Sequence, residues 1–133
     1  MKNYFDLAMN DEKLRSVSVL GLAHIGDAVY ELLVRTWLCE TGKNTAQGLH
    51  RETVRYVAAP AQAKASEKLL PFLTEEELSV FKRGRNTKVH SVPKNADLSE
   101  YHAATGLEAL FGWLYLRDSK DRISELFGHV TED

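Results

Sequence analysis

The chain has 133 residues, 44% of them hydrophobic, which suits one domain with enough apolar material to bury a real core. The single cysteine, Cys39, excludes an internal disulfide framework and points to a reducing, cytoplasmic setting. The formal charge of −2 excludes a uniformly basic nucleic-acid binder, yet the charge is unevenly placed. No acidic residue lies between Glu77 and Asp97, where Lys82, Arg83, Arg85, Lys88 and Lys94 all fall. Without these five, the 17 Lys and Arg drop to 12 against 19 Asp and Glu, so an acidic body carries one basic strip.

The first residues, MKNYFDLAMNDEK, contain no apolar signal core, and no secretion signal is expected. From there on, 3.6-residue periods dominate over alternation, so one all-α domain is expected over residues 1–133. A first helix should run from Ser16 or Ser18 to Glu40, with Gly42 closing it. Its apolar run, Val17–Val34, approaches membrane-spanning length, but His24, Asp27 and Glu31 mark a buried soluble helix, and no membrane association is expected. Lys43, Asn44 and Thr45 form a turn, and Thr45 caps a helix reaching about Val57. Pro60 suits the first turn of a third helix, AQAKASEKLL, that ends near Pro71. Thr74 and Glu77 form a capping box that opens a fourth helix ending in Lys82–Arg85. Asn86–Ala96, with Pro93, reads as a loop. Asp97 or Ser99 caps a last long helix to about Leu116, and a short helix, Asp121–Phe127, ends at Gly128.

The first helix and the last long one are too apolar all round for surface helices, so both should be central. Their apolar surface exceeds what so small a domain covers, which points to a homodimer. Each carries a carboxylate among apolar neighbours: Asp27 in the first, Glu108 in Ala103–Leu116. An ionised carboxylate in such a place needs a cation or a hydrogen-bond network. Each is close to glycine. Gly26, Gly106 and Gly112 cost helix stability, about 1 kcal/mol each against alanine, and so need a packing reason. Two readings stand side by side. Either each carboxylate bonds a backbone donor or a tyrosine, or the two share a metal ion between packed helices.

The segment HIGDAVYE around Asp27 resembles the signature helix of the ribonuclease III catalytic domain, and TGLEALFGWLYL around Glu108 resembles that family's second metal-binding helix. With FKRGRNTK and PKN between them, the order is similar to the short subfamily without a double-stranded-RNA-binding domain, Mini-ribonuclease III. The resemblance implies a helical bundle of the ribonuclease III endonuclease type. It implies Mg²⁺-dependent hydrolysis of double-stranded RNA, with 5′-phosphate and 3′-hydroxyl products, and Asp27 and Glu108 as catalytic metal ligands. Precursor large-subunit ribosomal RNA, in a bacterial cytoplasm, is the implied substrate. Larger members of the family place further carboxylates where this chain has Leu20, Ala23 and Thr105. Water, Thr105 or substrate oxygens would fill those positions; Glu31 and Asp97 are weaker candidates for an outer ligand.

Five cations without an intervening acid exceed what complementing a helix dipole requires, and RNA phosphates are the better reading. Lys82, Arg83, Arg85, Asn86, Lys88 and Lys94 are therefore the expected RNA-binding residues, with Thr87 and Ser91 as further contacts. His90 and His102 read as surface residues, His24 as part of the dimer interface, and Trp37, Trp113 and Tyr115 as core or interface. The rival to an enzyme is a catalytically silent module of the same fold that binds structured RNA or ribosomal particles.

Overall fold

A computed structural model describes residues 1–42, 45–88, 92, 94 and 96–132. The turn expected at Lys43 and Asn44, and the expectations for His90, Ser91 and Pro93, lie outside the described residues. Among the described residues, seven α-helices follow in order: α1 (Asp11–Arg15), α2 (Val19–Glu40), α3 (Ala46–Val57), α4 (Ala59–Leu69), α5 (Glu75–Arg85), α6 (Leu98–Leu116) and α7 (Lys120–Thr131). A 3-10 turn, Leu70–Phe72, sits between α4 and α5. Among the described residues there is no strand.

The starts of the helices follow from side chains that accept the first free backbone N–H groups. Ser18 accepts from Gly21, Thr45 from Gly48, and Asp97 from Ser99 and Glu100. Thr74 and Glu77 close both halves of the capping box. Past the C-cap Thr41, Gly42 takes φ +99°, the left-handed conformation that ends a helix at low cost in glycine. Two elements differ from the sequence expectation. Asn10 caps a short helix, α1, that five residues of mixed charge do not announce. The last helix runs through Gly128 to Thr131, because Gly128 does not take the left-handed conformation that ends a helix, as Gly42 does.

The centre of the fold is α6. Leu107, Ala109, Leu110 and Phe111 are fully buried, which explains why its sequence lacks a polar stripe. Three helices pack around it, each antiparallel to it. On α2, Leu22 meets Gly112 and Gly26 meets Glu108. On α4, Gln62 reaches Glu108 and Ser66 reaches Ala103. On α5, Gly84 lies on Gly106, and Glu76 pairs with Arg117. At the far side, Tyr30 joins α2 to α6 and α7 by edge-on contacts with Phe111 (5.3 Å) and Phe127 (5.8 Å). Arg122 clamps α7 to α5 by donating to both oxygens of Glu77, which is only 5% exposed. The hydrogen bonds from Arg122 hold the Glu77 carboxyl below its usual range, against the opposing effect of burial.

The glycines explain the crossings. A Cβ on Gly26 would lie 1.6 Å from the carbonyl oxygen of Glu108, and one on Gly112 would lie 1.9 Å from that of Leu22. A Cβ on Gly106 would come within 2.7 Å of the Phe81 carbonyl. The packing reason demanded by these three residues is therefore backbone-to-backbone contact between α6 and its neighbours.

The expectation that α2 is too apolar all round to show a surface face needs correction. Its inner face, with Leu22, Gly26, Tyr30, Val34 and Leu38, is buried, but Ala28, Leu32, Arg35 and Thr36 are exposed. Leu32 is 56% exposed.

Candidate active site

The crossing of α2 over α6 positions the two carboxylates. Gly26 lies on the backbone of Glu108, so the next residue on α2, Asp27, comes out beside the Glu108 side chain. The two are not equivalent. Asp27 is exposed, which corrects the reading of a carboxylate sealed in an apolar helix; Glu108 is partly buried. Asp27 lies at the rim because its neighbours Gly26 and Tyr30 take the inner face of α2. It shares the outer face of α2 with His24, Ile25, Ala28, Glu31 and Leu32.

Burial pushes the Glu108 carboxyl up to about 8. Asp27 adds to this in two ways: it repels the charged form and accepts a hydrogen bond from the neutral one. Opposing both is Gln62 on α4, whose amide stabilises the charged form. Gln62 is 1% exposed. Its Nε2 donates to the Val57 carbonyl at 3.1 Å and reaches Oε2 of Glu108 at 3.5 Å. Its Oε1 has no partner among the described residues. Sequence reasoning passed over this residue. A glutamine in AQAKASEKLL is ordinary in composition, and only its position on the inner face of α4, between Pro60 and the buried Ala65 and Ser66, could have raised it.

The positions where larger relatives carry further carboxylates hold none here. Ala23 is buried at 7% exposure, and Leu20 is apolar. Thr105 is buried, with its hydroxyl donating to the Tyr101 carbonyl at 3.1 Å. Asp97 is the N-cap of α6, eleven residues before Glu108 and hence about 16 Å along the helix, too far to share an ion with it. Glu31 lies one turn from Asp27 on the same face of α2 but is paired with Arg35 at 2.7 Å. His24 is exposed on α2, one turn from Asp27. His102 is only partly exposed, with a buried Nδ1 that has no partner among the described residues. Trp37 packs edge-on against Tyr56 at 5.0 Å, and Trp113 lies under the Arg117 guanidinium at 4.2 Å.

The basic strip follows the end of α5 but does not form one face. Lys82, Arg83, Lys88 and Lys94 are exposed, and Asn86 is the C-cap of α5. Arg83 lines a cavity with Arg15, Trp113 and Arg117. Arg85 points the other way, into a groove with Lys64, Asp97 and Glu100, and sits 5.8 Å over the Phe81 ring. Two residues apart on a helix means about 200°, so the two arginines must flank the helix.

The glycine-bearing crossing and both of its carboxylates lie inside one stretch that matches a known family. Residues 20–119 match the Ribonuclease III domain family. The chain belongs to that family. Among its relatives, the Mini-ribonuclease 3 of Symbiobacterium thermophilum is 51% identical over 107 residues, covering 80% of this chain and 82% of that protein. The Mini-ribonuclease 3 of Clostridium tetani is 41% identical over 128 residues, 95% of this chain and 85% of its relative. That of Staphylococcus aureus is 35% identical over 122 residues, covering 90% and 91%. A crystal structure of a protein from Fusobacterium nucleatum superposes with a TM-score of 0.80 at 31% identity, covering 90% of this chain and 97% of that one. As a ribonuclease III domain, the chain is an endoribonuclease of a family that acts on double-stranded RNA. Among the described residues, no helix is long and apolar enough to cross a membrane.

Ribonuclease III domains are in general divalent-metal dependent, and the residues here fit such an ion. Mg²⁺ takes oxygen ligands and is commonly held by one or two carboxylates, keeping several waters. Asp27 and Glu108 would supply the carboxylates, and the unpartnered Oε1 of Gln62 is an acceptor suited to a bound water. No group of three or more His, Cys, Asp or Glu side chains is assembled among the described residues, so the fit is to an ion that stays largely hydrated.

Proposed function

We propose that this ribonuclease III domain is a Mg²⁺-dependent homodimer that cuts both strands of duplex RNA, leaving 5′-phosphate and 3′-hydroxyl ends. Its proposed substrate is precursor large-subunit (23S) ribosomal RNA, processed in the cytoplasm. The observation that carries the reading is the adjacency of Asp27 and Glu108 across the α2–α6 crossing, enforced by Gly26. Two carboxylates so close, one of them driven by burial to bind a proton at neutral pH, favour a cation between them.

The division of labour follows from exposure. Asp27, at the rim, faces the side from which a phosphate would arrive. Glu108, held from behind by Gln62, gives up its proton as a cation binds. A divalent ion at this place would neutralise charge on the scissile phosphate and acidify a water for attack. Lys82, Arg83, Arg85, Asn86, Lys88 and Lys94 would hold the duplex by its phosphates and 2′-hydroxyls, the groups through which A-form RNA is recognised. The exposed Leu32 and Ala28 lie beside Asp27 on the outer face of α2. A two-fold contact along this helix would cover them and bring two cutting sites onto one duplex, one for each strand.

The test is cleavage of end-labelled duplex RNA by the purified protein, with Mg²⁺ and with chelator, together with identification of the product ends. Cleavage without added divalent ion, or products with 3′-phosphates, would refute the mechanism. A precursor duplex cut no faster than an arbitrary duplex of equal length would refute the substrate.

A further inference from the structure

A buried amide with one free end is costly, because the unpartnered group has lost its water without gaining a hydrogen bond, and native structures tolerate such groups where they serve a purpose. Gln62 is such a group. It is 1% exposed, yet its Oε1 has no partner among the described residues. Its orientation is fixed: Nε2 faces two acceptors, the Val57 carbonyl and Glu108 Oε2, and a flipped amide would turn its oxygen onto both. Val57 ends α3, and its carbonyl is one of those a helix terminus leaves without an intrahelical partner. Anchored there, the amide cannot follow Glu108 about; Glu108 must come to it. Closing off the last carbonyl of α3 would need only a donor, so the free oxygen is left over from that role.

We propose that Gln62 is a positioning residue of the cleavage site, its amide N–H pinning one oxygen of Glu108 while its own free oxygen takes a hydrogen bond from a water on the bound Mg²⁺. This rests on Asp27 and Glu108 being the ion's ligands. With Oε2 held, the other oxygen of Glu108 would be free for the ion. Partners one step removed from a metal orient its ligands, and losing one costs on the order of 10–100-fold in metal affinity or activity.

Gln62→Met keeps length and volume but removes both polar atoms. Ser66→Ala serves as the packing control: Ser66 is buried on the same face of α4, one turn on, and its hydroxyl donates to the Gln62 backbone carbonyl and reaches that of Ala103, without touching Glu108. Mg²⁺ affinity is measured calorimetrically on RNA-free protein, and kcat and KM are measured on duplex RNA. Gln62→Met should weaken Mg²⁺ binding and lower kcat by roughly 10-fold or more with KM for the duplex unchanged; Ser66→Ala should leave all three as in the wild type. Should Gln62→Met fail to fold, the wild type still decides: its Gln62 side-chain amide signal should shift on Mg²⁺ titration with the calorimetric midpoint. Wild-type affinity in folded Gln62→Met, or an amide signal indifferent to Mg²⁺, overturns the proposal while leaving the ligand assignment standing. Mg²⁺ binding that survives Glu108→Gln overturns the ligand assignment itself.

Discussion

Gly26 and Glu108 meet backbone to backbone, so closely that a Cβ on the glycine would sit 1.6 Å from the glutamate's carbonyl oxygen. No side-chain rearrangement relieves a clash with main chain. Gly26→Ala should therefore push α2 off α6, costing about 3 kcal/mol or more, and pull Asp27 away from Glu108. Gly128→Ala is the opposite case: its Cβ would meet nothing within 4 Å on α7, so stability should hold or rise by up to about 1 kcal/mol. Denaturant unfolding of both variants checks the contrast; a Gly26→Ala protein of wild-type stability would contradict the crossing.

Asp27→Asn and Glu108→Gln should each abolish Mg²⁺-dependent cleavage and leave the fold intact. Without metal their thermal stability should not fall. Glu108→Gln should gain at pH 8, because it removes a partly buried charge facing Asp27. Turnover in either purified variant at the wild-type rate would remove that residue from the reaction.

The Glu108 carboxyl also gives the metal-free protein a pH signature. Its affinity for protons is raised from the ordinary 4.5 to about 8 in the folded state. Between those values the folded chain holds a proton that the unfolded chain has lost. Metal-free stability from this group is thus full below about 4.5, declines as pH rises, and is gone above about 8. If Mg²⁺ takes the proton's place on Glu108, as proposed, its affinity should climb over the same interval. Melting curves with chelator from pH 5 to 8.5 should show the decline in the wild type, and Glu108→Gln should lack this component.

Neutralising Lys82, Arg83, Arg85, Lys88 and Lys94 together should weaken duplex binding at every sequence. The slope of log affinity against log salt should shrink by roughly 0.7–0.9 for each phosphate that the protein no longer neutralises. Because Arg83 and Arg85 flank α5, the two single alanine variants should be unequal. Equal slope changes would mean that the duplex wraps the end of α5; no change in any variant would place the RNA elsewhere.

Leu32 is 56% exposed on the outer face of α2. Leu32→Glu should leave the monomer fold alone, split the dimer in sedimentation at micromolar concentration, and turn double-strand cuts into single-strand nicks. A wild-type protein that is monomeric and fully active would end the dimer proposal.

The helix starts at Ser18, Thr45, Thr74 and Asp97 were legible in the sequence because a cap is a contact between residues two or three apart. The central place of α6 was legible too, since a helix without a polar stripe has nowhere else to go. The sequence alone singled out Asp27 and Glu108, by charge in an apolar run and by family likeness. What it could not determine was which way each side chain faces, because that depends on partners far along the chain. Asp27 reads as buried in its run, but the crossing at Gly26 turns it to the rim. Arg83 and Arg85 read as one strip, but α6 takes the face between them and divides them. Gln62 carries no local signal, since it differs from a surface glutamine only by facing a carboxylate 46 residues away. Local sequence decides where helices begin, because capping and propensity act within a turn or two; only close packing between distant segments decides what those helices bring together.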